Sequence, residues 1–139
     1  MDLKAKNPTV PNNKRLIKSF LVIESSGLNV FSLLFHRSDL DDVLFAGFSA
    51  AIVAFAKEMG KELQSLTLDG ETFYFKTKDG FIFILSTMSR FEEKKAFALL
   101  EEIITAVDWK QMESYLNKEV FFLTNDFEEK VKQIIEEAF

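Results

Sequence analysis

The sequence contains no cysteine and a single histidine, His36. A chain without thiols forms neither disulfides nor thiolate metal sites, which fits a reducing compartment such as the cytoplasm. His36 lies in "LLFHRSD" with no nucleophile patterned around it. Nucleophilic catalysis by a serine or cysteine paired with a histidine is therefore not indicated.

Long apolar runs and phosphate-binding motifs are also missing. No stretch reaches the roughly 18 apolar residues that span a bilayer, and the N-terminus lacks the apolar core of a signal peptide. No GxxxxGK[ST], GxGxxG or HExxH motif occurs. Adjacent glutamates such as Glu128 and Glu129 stand beside lysines, as on solvated helix faces. We therefore expect no catalytic residues, no metal site, no cofactor and no enzymatic activity.

Positive charge is the scarcer sign, with 17 Lys and Arg against 22 Asp and Glu and a net charge of -5. This balance argues against a nucleic-acid partner, which requires clustered basic residues. The opening segment "MDLKAKNPTVPNNK" is polar and carries Pro8 and Pro11. We expect residues 1–14 to form a flexible arm and residues 15–139 to form a single domain.

Apolar residues are abundant at 47% of the 139-residue chain, and 16 residues are phenylalanine. A chain of this length buries roughly two thirds of the surface of its unfolded form. Alternating apolar patterns and turn signals predict strands at about 16–24, 28–36, 62–68, 72–76 and 81–88. The turns are "SSG", Asp69-Gly70 and Asp79-Gly80. The first and last strands are apolar on both faces and are expected at the centre of a sheet, whereas 62–68 suits an edge.

Three helices complete the pattern, at about 39–59, 91–116 and from Asp126 to the end of the chain. Ser38 is the expected N-cap of the first helix and Gly60 its C′ residue. The aspartates Asp39, Asp41 and Asp42 fit the first turn of a helix, where carboxylates meet the positive end of the dipole, better than a metal site.

The order β-β-α-β-β-β-α-α resembles the longin domain of the wider longin, roadblock and profilin-like group, whose fold is SNARE-like. The resemblance lies in "IKSFLVIESSGLNVFSLLF", in "LQSLTLDGETFYFKTKDGFIFIL" and in the helix "AGFSAAIVAFAKEMG" between them. It implies an α+β fold with a five-stranded antiparallel sheet in the order 2-1-5-4-3. The first helix would cover one face and the two C-terminal helices the other. It also implies a non-enzymatic adaptor for small GTPases or vesicle-trafficking assemblies, cytoplasmic or peripheral to membranes through a partner.

The first helix has a large-residue side and a small-residue side. We expect the large side to pack on the sheet, because large side chains bury the most apolar area. Its members are Leu44, Phe45, Phe48, Ile52, Phe55 and Met59. The small side would face outwards and bind a partner. Its members are Val43, Ala46, Gly47, Ala50, Ala51 and Ala54.

Two readings of the small side stay open, a plain helix surface rich in alanine and an interface that admits another helix closely. Relatives in this group imply a homodimer through the 39–59 helix and the 62–68 edge strand. The alternative function is a small-molecule-sensing or scaffold domain. Met88, Trp109 and Met112 could line a ligand pocket, although core packing explains them equally well.

Overall fold

The computed structural model describes residues 16–35, 42–107 and 125–138. Its elements follow the predicted order: two strands, a helix, three strands and two helices. They are β1 (Ile17–Glu24), β2 (Asn29–Leu34), α1 (Asp42–Glu58), β3 (Ser65–Leu68), β4 (Glu71–Lys78), β5 (Phe81–Met88), α2 (Glu93–Ala106) and α3 (Asn125–Glu137). The predicted arm at 1–14, the predicted cap Ser38, and the predicted helix beyond residue 107 lie outside the described residues.

The five strands form one antiparallel sheet in the order β2-β1-β5-β4-β3, as the resemblance implied. The two central strands are β1 and β5, whose apolar runs 20–23 and 81–85 are fully buried. Side chains of a strand alternate between the two faces, so a strand covered on both sides must be apolar throughout. The prediction that the first and last strands are central is therefore confirmed.

Local turn chemistry sets the ends of several elements. Asp69 and Asp79 have φ values of 42° and 51°, and each is followed by a glycine with positive φ, as a tight Asp-Gly hairpin turn requires. At the end of α1, Gly60 also has positive φ. The Gly60 N–H donates to the Lys57 carbonyl and the Lys61 N–H to the Ala56 carbonyl, both at 2.9 Å. These two bonds are those of a Schellman motif, and Gly60 is its C′ residue as predicted.

Helices cover both faces of the sheet. Helices α2 and α3 pack on one face, where Leu100 of α2 and Val131 of α3 are fully buried beside Phe20 and Phe83 of the sheet. Helix α1 packs on the other face. The last helix begins at Asn125, one residue before the predicted cap Asp126. The predicted three-layer arrangement is confirmed.

Among the described residues, no helix is both long and apolar enough to cross a membrane.

Candidate functional site

Helix α1 meets the sheet mainly through small side chains. Ala46 and Ala50 are 0% and 7% exposed, and Ser49 is fully buried between them. Phe45 is the largest buried side chain that the structure describes on the helix side of this contact, with its ring centroid 4.7 Å from that of Phe73. The large side chains opposite belong to the sheet: Leu21, Ile23, Phe73, Phe75, Ile82 and Ile84. Small residues on the helix let its backbone lie close to this layer of bulky residues.

A hairpin turn explains why the small side faces inwards. Gly27, in the turn between β1 and β2, lies directly against α1 with φ 102°. A Cβ atom at Gly27 would lie 3.4 Å from the Gly47 Cα and 3.7 Å from the Ala50 Cβ. A large side chain at Ala50 would push the turn and the helix apart, whereas a Cβ atom added at Gly47 would meet no neighbouring atom within 4 Å. Local packing therefore selects a small residue at Ala50.

The opposite side of α1 exposes a row of large apolar residues, which we call the outer stripe: Leu44, Phe48, Ile52, Phe55 and Met59. Leu44 is 71% exposed, Phe55 64%, Met59 56% and Phe48 47%, while Ile52 is half-buried. These residues are spaced three or four apart, so they share one helix face. Contiguous exposed apolar residues of this kind mark interaction surfaces in folded proteins.

The predicted assignment of the two sides of α1 is wrong in part: Phe45 packs on the sheet as predicted, but Leu44, Phe48, Phe55 and Met59, also expected there, are exposed. Ala46 and Ala50, expected to face outwards, are buried against the sheet. Gly47, Ala51 and Ala54 are exposed, as expected, and the Val43 side chain lies outside the described residues. The prediction assumed that the side with more apolar area packs on the sheet of its own chain. That assumption fails here because the sheet already supplies the bulky groups of this contact.

The edge strand β3 follows α1 in the sequence, and residues 59–64 connect the two. Within the described part of the chain, β3 pairs only with β4, so its other edge is unpaired. Leu66 packs against the core beneath α1, and Leu68, two residues further on the same face, is about half exposed. The prediction of an edge strand is confirmed, although the strand is shorter than expected. The outer stripe and the β3 edge are the candidate site.

A row of polar side chains crosses the α1 face of the sheet at the opposite end from the hairpin turn at Gly27. Ser19 donates to Ser86 at 3.1 Å, and Ser86 donates to the Glu71 carboxylate at 2.6 Å. Lys18 lies 3.6 Å from the same carboxylate. Each of these groups has a partner, which satisfies its hydrogen bonding within an apolar sheet.

Two other predicted features fall partly outside the described residues. Met88 is half-buried against the core beneath α2 and α3, whereas His36, Trp109 and Met112 are not described. The pocket suggested for Met88, Trp109 and Met112 stays a prediction. The described residues contain no group of three or more histidine or carboxylate side chains placed to hold a metal ion.

No family model and no curated protein matches the sequence. Several solved structures do match. MglB of Myxococcus xanthus is 18% identical over 68% of this chain and 88% of its own, with a TM-score of 0.49. The gliding protein MglB of Thermus thermophilus is 14% identical over 62% of this chain and 73% of its own, with a TM-score of 0.50. A Roadblock/LC7 domain from Streptomyces avermitilis is 10% identical over 65% of this chain and 84% of its own, also with a TM-score of 0.50.

MglB and roadblock domains belong to the longin/roadblock fold group. At identities of 14% and 10%, the last two matches are evidence of a shared fold alone. The strand order 2-1-5-4-3 observed in this chain agrees with the architecture that the resemblance implied. The chain therefore has the longin/roadblock fold.

Proposed function

We propose that this protein is a non-enzymatic regulatory or adaptor domain that acts on a small GTPase and works as a homodimer. The resemblance to longin domains supports a GTPase or a trafficking-type assembly as partner, and the confirmed fold supports that resemblance. The single observation that carries the proposal is the outer stripe of α1, which is apolar, aromatic and exposed. Exposed aromatic residues and methionine at this density are typical of protein interfaces.

A second copy of the chain is the proposed cover of the outer stripe. Around a two-fold axis, the same patch meets itself, so α1 would pack beside α1 of the partner. Within the described residues β3 pairs only with β4, and antiparallel pairing of two β3 strands would continue the sheet from one chain into the other. The proposed dimer would cover both an apolar helix face and an open strand edge. The proposed dimer uses the same two elements as the predicted one, the first helix and the edge strand. It differs in that the helix contributes the outer stripe instead of its small side.

The proposed place of action is the cytoplasm, with any membrane contact made through the partner. The absence of cysteine from the sequence supports a reducing compartment.

The GTPase role is tested by affinity capture from the native extract. The purified chain is immobilised, and the extract is loaded in parallel with GDP or with a non-hydrolysable GTP analogue. We expect a small GTPase, identified by mass spectrometry, to be retained in one nucleotide state more than in the other. Equal retention in both states, or equal retention on a column carrying an unrelated acidic domain, contradicts the proposal.

The non-enzymatic role has its own measurement, since the chain offers no motif for a phosphate cradle. The purified protein alone is expected to release no phosphate from GTP or ATP. Hydrolysis that persists through repeated purification and is lost when one acidic residue is substituted contradicts this part of the proposal.

A further inference from the structure

An open pocket of about 350 Å³ lies at the C-terminal end of α1. Its walls are the last turns of that helix, the loop that follows, and the tips of the β1–β2 and β4–β5 hairpins. Three lysines line it, Lys57 from α1, Lys61 from the loop and Lys78 from β4. Volumes of this size accommodate small-molecule ligands.

Backbone hydrogen bonds fix the segments that carry these lysines. The Schellman bonds place Lys61 immediately after the helix that bears Lys57. The two hairpin tips are tied together, because the Ser25 N–H and the Ser25 hydroxyl both donate to the Gly80 carbonyl, at 2.9 and 3.0 Å. The pocket is thus built on ordered backbone, and binding needs little rearrangement.

The charged side chains that line the pocket are mostly positive, whereas the chain as a whole is negative. Three lysines face two carboxylates, Glu62 and Asp79, in a chain whose net charge is -5. Within the described residues, neither Lys57 nor Lys61 has an ion-pair partner. Glu62 also interacts with Lys76, which raises the pKa of that lysine after the larger effect of the hydrogen bond and charge of Glu101.

One wall of the pocket is apolar. Val53, one helical turn before Lys57, and Leu63, two residues after Lys61, are half-buried and face the opening. Both pack against the core between α1 and the sheet, on the inner flank of the helix. The outer stripe lies on the other side of α1, so a molecule in this pocket and a partner on the stripe occupy different surfaces.

We propose that this pocket binds a small anion that carries a phosphate group, held by Lys57, Lys61 and Lys78, with its apolar part against Val53 and Leu63. Lysines act as mobile point charges, and three of them arriving from three elements suit a tetrahedral group that offers several charged oxygens. The anion is a free phosphorylated metabolite or the headgroup of a phospholipid, which share this chemistry. Binding of this anion would be a second function, separate from the proposed regulation of a GTPase.

Calorimetric titration with pyrophosphate at low salt tests the proposal. We expect saturable binding by the parent chain and binding about tenfold or more weaker in the double variant Lys57→Gln, Lys61→Gln, because two charge-assisted contacts are lost. Lys130→Gln, an exposed lysine of α3 on the opposite face of the sheet, is the matched control and should bind as the parent does. The thermal unfolding of each variant is measured beside its binding.

Flotation with phosphatidylcholine vesicles, with and without phosphatidic acid, separates the two sources of phosphate. Retention only with phosphatidic acid, lost in the double variant, indicates a lipid headgroup, whereas pyrophosphate binding without retention indicates a soluble ligand. The proposal is overturned if the parent shows no saturable binding of pyrophosphate. It is also overturned if the double variant binds as well as the parent and differs only in stability. In that case the only role of the two lysines is to stabilise the C-terminal end of α1 through their positive charge. Light scattering on the same samples reports dimerisation separately, so failure of this site leaves the proposed dimer unaffected.

Discussion

Ala46 and Ala50 are buried because bulky side chains of the sheet lie opposite them. The sheet beneath α1 presents two leucine or isoleucine side chains from each central strand and two phenylalanines from β4. A methyl group on the helix fills the remaining space, whereas a longer side chain would have to displace the sheet or the turn at Gly27. The stability of this layer therefore depends on the small size of two residues that have little apolar area of their own.

Ala50→Arg is expected to destabilise the chain by about 2 kcal/mol or more, because the long side chain overpacks the contact and buries a charge. Ala54→Arg is the matched control. It makes the same change four residues further along α1, where the side chain is exposed, and it should shift stability by no more than about 0.5 kcal/mol. Urea unfolding followed by circular dichroism at one protein concentration measures both. Equal stability of the two variants would show that Ala50 is not packed as described.

The β1–β2 hairpin and α1 act as one packed unit, because the turn of the hairpin rests on the helix. Gly27 meets two requirements there: its φ of 102° is rarely adopted by other residues, and its missing side chain leaves room for Gly47 and Ala50. Gly60, at the end of the same helix, meets only the first. Its φ is 71°, and a methyl group added there would have no neighbouring atom within 4 Å.

Alanine substitutions at these two glycines compare the cost of a positive φ alone with the cost of a positive φ beside a packed helix. Gly60→Ala is expected to cost about 1 to 2 kcal/mol, the penalty of the left-handed conformation alone. Gly27→Ala should cost at least as much, because the positive φ penalty applies there too and the new methyl group would only just fit against the helix, 3.4 Å from the Gly47 Cα. Chemical denaturation of both variants measures the difference. A smaller loss for Gly27→Ala than for Gly60→Ala would contradict the described contact between turn and helix.

The order of elements and the central place of β1 and β5 are predictable because their signals are local, whereas the full strand order was implied only by the resemblance to longin domains. Asp69-Gly70 and Asp79-Gly80 define two hairpins, and the fully apolar "FIFIL" requires cover on both faces. The orientation of α1 is not predictable in this way, since a hydrophobic pattern shows which residues avoid water but not whether the same chain or another copy covers them. The lysine pocket has no sequence signal either, because Lys78 is brought to Lys57 and Lys61 only by the fold.

At the scale of the molecule, four of the seven exposed large apolar side chains among the described residues lie in the outer stripe. The core is complete on both faces of the sheet without Leu44, Phe48, Phe55 or Met59. Removing apolar residues from the outer stripe should therefore change association while leaving the fold of each chain intact. Since these four residues belong to neither described core cluster, association and folding can be measured separately.

The most direct test is the molar mass in solution, measured by light scattering on size-exclusion fractions over a range of protein concentrations. The parent chain is expected to have twice the mass of the 16.0 kDa monomer. Phe55→Glu, in the middle of the outer stripe, is expected to have the mass of one chain and an unchanged circular dichroism spectrum. Leu34→Glu, which changes an exposed apolar residue on the opposite edge strand, should remain dimeric. A parent chain that is monomeric throughout, or a Phe55→Glu variant as dimeric as Leu34→Glu, would contradict the claim that a second copy covers the outer stripe.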